Sequence, residues 1–192
     1  MNKNILLDRL PQYTPNGLRI RTDFRESIKF ELLMQDNKIN EKEKITQALV
    51  LYYYDLSEIT DLKQAIDDML WFYTCGKKKK VDNTNNEEEK RETKQIYSYE
   101  FDDEYIYSAF MEQYKIDLNS IKYLHWWKFK SLMNSLNENT QFAKIMGYRA
   151  MDLSKIRDKE MKANYKRLKK QYALPDMRTT EQKEADFGKS FW

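Results

Sequence analysis

The stretch IKYLHWWKFKSLMNSL, Ile121 to Leu136, constrains this chain more than any other. Ile121, Leu124, Phe129, Leu132, Met133 and Leu136 recur at three- and four-residue intervals, the spacing of one helix face. Trp126 and Trp127 widen that face well beyond a narrow stripe. A helix apolar on two sides needs cover on two sides, from its own domain or from a partner. The stretch is the centre of an aromatic-rich part running from Tyr97 to Asp176.

Composition sets the outer limits. A chain of 192 residues suits one domain with extensions. With 34% charged residues the surface is heavily charged, and 4 Gly with 3 Pro argue against a β-sandwich or a glycine-looped nucleotide fold. The single Cys75 and single His125 exclude an intramolecular disulfide and a Cys/His zinc cluster. No apolar run approaches the roughly 20 residues that span a bilayer. Nothing at the start resembles a signal peptide, so a cytosolic protein is expected.

Taken in order, the pattern predicts a mainly α fold of about six to seven helices with a small N-terminal β-hairpin. Asn16-Gly17 supplies the turn of that hairpin, within a segment 1–22 that packs on the helices. Asp23 with Glu26, and Asn40 with Glu43, are start signals for two helices. A third helix is expected from Thr60 to Cys75, stopped by Gly76 in a left-handed conformation. These complete a first helical part, 23–76. The run KKKKVDNTNNEEEKRETKQ then has one aliphatic residue and no aromatic, and marks 77–96 as a mobile charged loop. The aromatic-rich helical part, 97–176, begins with Asp102-Asp103-Glu104 at a helix start, where acids favour the dipole. The Trp-Trp helix follows, then a short helix from Thr140 to about Gly147. A last basic helix is capped by Asp152 or Ser154 and ended by Ala173-Leu174-Pro175. Residues 177–192 read as a tail.

The chemical candidates are weak. His125 sits between Ile121 and Phe129 with no positioned nucleophile or orienting acid, and is expected as a hydrogen-bonded core or interface histidine. Cys75 has lysines after it that would lower its pKa, but reads as a small side chain at a helix end. Asp102, Asp103 and Glu104 point in different directions as a metal site, so capping is the better account. Pro175-Asp176 with Glu181-Gln182-Lys183 mimics a nuclease signature at the wrong spacing. No catalytic residue, metal or cofactor is expected. The basic residues from Ser154 to Tyr172 suggest phosphate contact, yet Tyr165 and Tyr172 share an apolar face with Ile156 and Leu168. A solvated basic face that meets an acidic protein fits better.

Several stretches together resemble a known family. They are Arg21-Thr22-Asp23-Phe24-Arg25, Leu70-Trp71-Phe72-Tyr73 with Cys75-Gly76, and Tyr97 to Leu118. Further on come Leu124-His125-Trp126-Trp127-Lys128-Phe129, Ile145-Met146-Gly147-Tyr148-Arg149, Met151-Asp152-Leu153-Ser154-Lys155-Ile156 and Tyr172-Ala173-Leu174-Pro175-Asp176. Over Leu6 to Asp176 the chain is similar to the bacteriophage "gene product fifteen" family of tailed phages and prophages of Gram-positive bacteria. The resemblance implies a place in the tail-morphogenesis gene block, between the major tail protein and the tape-measure protein. It implies a non-enzymatic tail assembly chaperone that coats the tape measure in the host bacterial cytoplasm and is absent from the finished virion. Its expected partners are the tape-measure protein, further copies of itself and a neighbouring tail chaperone; membrane and nucleic acid are not expected. The candidate partner-binding residues are Tyr123, Trp126, Trp127 and Phe129, with Lys162, Lys166 and Lys169 on the basic helix. The rival account of the aromatic four is that they are core. Other readings are a nucleic-acid-binding phage protein using 154–172, or a minor structural component of the tail.

Overall fold

The computed structural model describes residues 4–77 and 95–176. Among these the chain forms seven α-helices: α1 Phe24–Gln35, α2 Glu41–Tyr52, α3 Leu62–Tyr73, α4 Asp103–Tyr114, α5 Trp126–Asn134, α6 Gln141–Ala150 and α7 Lys159–Gln171. The expected mobile loop lies outside the described residues apart from its ends, as does the tail from 177.

Start signals read from the sequence do their physical work. Asp23 accepts a hydrogen bond from the Arg25 amide, Asn40 from Glu43, Asp61 from Gln64 and Thr140 from Ala143. Each gives one otherwise orphaned helix donor a partner. After α3 the chain turns sharply: Cys75 and Gly76 both have positive φ, 58° and 71°. A Cβ on Gly76 would meet the Trp127 ring at 3.0 Å, so glycine is required there by space as well as by backbone conformation.

Five expectations need correction. The N-terminal hairpin forms no strands: Gly17 does take φ +86° in a turn, but pairing stops at the single Tyr13–Arg19 bridge. The outgoing arm is claimed by the end of α2, where Ile20 bridges Tyr53 and the Arg21 amide donates to the Tyr52 carbonyl at 2.7 Å. The Trp-Trp helix starts at Trp126 rather than Ile121, because the segment before it pairs with the entrance of α1. There Phe24 donates to Leu124, Trp126 donates to Thr22, and Asp23 Oδ2 accepts from the Leu124 amide. Gly147 does not end α6, which runs on to Ala150. The last helix is capped by Asp158, while Asp152 caps a separate 3-10 turn at Leu153–Lys155. Asp102 stands at the start of α4 but caps nothing with its side chain.

Asp102 is fully buried and grips Arg149 of α6 in a two-pronged ion pair, at 2.6 and 2.8 Å. Arg149 also donates to the carbonyls of Ile96 and Tyr172. One guanidinium thereby ties the entry to α4, the end of α6 and the end of α7, using its planar fork where a lysine could not.

A single core runs through both halves. α1 packs on α2 and on α5, and α4 packs on α6. Its centre is a pile of rings: Phe129 stacks on Phe24 at 4.7 Å, on Phe110 at 5.1 Å and on Trp126 at 5.7 Å. Both Trp indoles donate into the end of α3, Trp126 to the Tyr73 carbonyl and Trp127 to the Phe72 carbonyl, each at 2.8 Å. Beside them Tyr73 donates to the Glu31 carboxylate at 2.6 Å, which in turn faces Lys130 at 3.8 Å. Burial raises the Glu31 pKa, opposed by the Tyr73 hydrogen bond and by Lys130.

His125 is buried, its Nδ1 accepting from the Trp127 amide while Nε2 donates to the Pro11 carbonyl. That pattern defines a neutral ring. Desolvation holds its pKa below the usual value; the Pro11 carbonyl opposes this and Lys128 reinforces it. It is the core histidine that the sequence pattern suggests.

Two outcomes follow for stability. Trp126→Ala removes a fully buried indole and leaves the Tyr73 carbonyl unpaired, so unfolding in denaturant should show a loss of about 3–5 kcal/mol. A stable, folded Trp126→Ala chain would contradict the assigned packing. For pH, the unfolded state protonates His125 more readily than the folded one, so its contribution is whole above pH about 6.5 and declines on acidification below it. Glu31 acts with the opposite sign, its folded carboxyl holding a proton more tightly. His125→Asn should therefore lower the slope of unfolding free energy against pH on acidification below pH about 6.5. An unchanged slope would mean that the ring takes up a proton as readily in the fold as in the unfolded chain.

Candidate functional site

The seven residues picked from the sequence do not form one surface. Trp126, Trp127 and Phe129 are 0%, 3% and 0% exposed and belong to the core, which corrects the assignment of the two tryptophans to a partner face, while one edge of Phe129 borders the groove described below. The physical reason is the end of α3: its carbonyls give both indole N–H groups a partner, Trp71 and Phe72 cover the Trp127 ring, and Tyr73 stacks on the Trp126 ring. Tyr123 is exposed and shares a hydrogen bond with Thr22 at 2.7 Å, beside the N-terminal segment around Pro11. Lys162 and Lys166 are exposed on α7, at the far side of α6, and Lys169 is half-buried there with its ammonium on the Met151 carbonyl.

The concavity with binding character lies elsewhere. Between α1 and α4 runs an open groove of about 580 Å³, within the size range of ligand sites. Phe24 and Ile28 of α1 form one wall and Ile106 and Tyr107 of α4 the other. Phe129 and Tyr99 lie at its floor, Leu118 and Asn119 close it from the following loop, and Asp103 and Glu104 stand on the rim. The groove exists because α1 and α4 both reach the Phe129 ring, through Phe24 and Phe110, without packing their whole lengths on one another. An apolar trough with a few acids at its edge suits an amphipathic helix laid lengthwise.

The groove wall on α4 is missing from the residues singled out in the sequence. Tyr105, Ile106, Ala109 and Phe110 mark the buried face of that helix, yet Tyr107 and Met111 fall on its outer side and are each 37% exposed. Apolar side chains on the solvent side of an otherwise accounted-for helix were the available signal.

Burial pushes the Cys75 thiol up to about 11, against the pull of Lys130 and Lys77, which favours the protonated form. Among the described residues no three His, Cys, Asp or Glu side chains come together to hold a metal ion, and no helix is long and apolar enough to cross a membrane.

No curated protein and no solved structure matches the chain. A family model described as Bacteriophage Gp15 protein matches residues 6–174, well over half of the sequence. It covers all seven helices, the groove and the Trp pair. The chain belongs to the bacteriophage Gp15 protein family.

Proposed function

We propose that this phage protein is a non-enzymatic tail assembly chaperone that holds an amphipathic segment of the tape-measure protein in the groove between α1 and α4. The observation that carries this reading is the groove itself: apolar along its walls, acidic at its rim and open to solvent. A tape measure is a long helical chain whose apolar faces lack cover until the tail tube closes around it. A helix-sized apolar trough offers that cover reversibly, because a client held by a few contacts can be displaced by tube subunits. The protein works in the host cytoplasm and leaves before the virion is complete.

Co-expression with the tape-measure protein of the same phage, followed by pull-down, tests the reading. The tape measure should be soluble in complex and insoluble alone. Tyr107→Ala and Ser108→Arg alter the groove wall at exposed positions, so the fold should survive while client affinity falls about tenfold or more. A tape measure that precipitates in the presence of this protein, or binding untouched by both substitutions, would sink the proposal. Finding the protein in purified particles would favour a structural role in the tail.

A further inference from the structure

We propose that copies of this chain associate head to tail, the basic face of α7 on one copy lying along the acidic outer face of α4 on the next. The contact needs no client, and because Asp103, Glu104 and Tyr107 also border the groove, a neighbour's α7 and a client compete for that edge of α4.

α7 has no buried residue and is held only along one side, where Tyr165 and Tyr172 meet Tyr148 of α6. Its other side carries Lys159, Lys162, Lys166 and Lys170 at intervals of three, four and four residues, which places them on one face. All four are exposed, and none forms an ion pair among the described residues. Six basic residues against the single Glu160 make a concentrated positive rod in a chain whose net charge is only +3.

α4 is its counterpart. It contains Asp103, Glu104 and Glu112 and no basic residue, and these acids are likewise exposed and unpaired among the described residues. Between them lie the exposed Tyr107 and Met111. Glu104 and Glu112 are eight residues apart, as are Lys162 and Lys170, so each pair is separated by about 12 Å along its helix. Two straight helices laid side by side bring both pairs into register. Lysine stems can cover Tyr107 and Met111 while their ammonium groups reach the acids. Opposite potentials on α4 and α7 draw copies together, and like potentials disfavour α7 on α7 or α4 on α4. Each copy has one donor and one acceptor face, so the contact is heterologous and builds rings or open rows rather than a closed two-fold dimer. Nucleic acid would also meet the basic face, but phosphates do not account for a matching acidic face on the same chain.

Sedimentation velocity on the nuclease-treated, full-length protein tests this. At low salt the wild type should sediment as species larger than the monomer, and in about 1 M salt, where the Debye length is about 3 Å, as the monomer. K162E/K166E/K170E and E104K/E112K should each be monomeric at low salt, with circular dichroism confirming intact helices. Mixed in equal amounts they should assemble again, because every α4–α7 contact between the two variants regains opposite charges. If the glutamate triple loses helix content, K162Q/K166Q/K170Q replaces it and should itself be monomeric at low salt. The proposal is overturned by a wild type that is monomeric at low salt, by reversed variants that fail to recover on mixing, or by an assembly that nuclease dissolves.

Discussion

The two indole N–H bonds from Trp126 and Trp127 to the last carbonyls of α3 hold the molecule's two halves in one arrangement. A helix ends with carbonyls that lack intrahelical partners, and burying such an end without donors is costly. Here the donors come from the far side of a long charged stretch of sequence. Because indole nitrogens sit at fixed positions on rigid rings, satisfying both carbonyls also sets the direction of α5. That direction puts Phe129 where Phe24 of α1 and Phe110 of α4 can stack on it from different elements. The groove follows from this, since its walls are the two helices that share the Phe129 ring.

The Asp102–Arg149 pair has a different task. Buried ion pairs are weak contributors to net stability, because desolvation offsets most of their attraction. What this one adds is position. The entry to α4 and the ends of α6 and α7 meet at a single guanidinium, whose remaining donors are used on the Ile96 and Tyr172 carbonyls. α7, which buries nothing of its own, takes its angle from that anchor and from the Tyr148 ring.

Local signals in the sequence were legible and long-range ones were not. The capping by Asp23 and Asn40 and the turn at Gly76 depend on neighbours a few residues away and appear as expected, whereas the Asp23 contact with Leu124 and the Gly76 contact with Trp127 have no local signal. The surplus of aromatic area on the Trp helix is real, but its cover comes from α3, a partner that periodicity cannot name. The same limit explains Asp102, an acid in an ordinary capping position whose true partner stands 47 residues away. The hairpin failed for a related reason: Asn16-Gly17 turns as expected, but the backbone beyond it is drawn off by Tyr52 and Tyr53. The groove was hidden because its walls belong to helices distant in sequence. The outward Tyr107 was the one local hint of its α4 wall.

The clustering of tryptophans at the α3–α5 junction also gives the molecule an optical signature. Of its four tryptophans, Trp71 and Trp127 meet edge to face at 5.6 Å, and Trp126 adjoins them on the Tyr73 ring; Trp192 lies outside the described residues. Indole emission shifts with the polarity around the ring, and two of these indoles are sealed from water with their N–H groups bonded to carbonyls. Among the described residues the tryptophans all lie at one seam. The emission of the three described tryptophans registers the parting of the two halves.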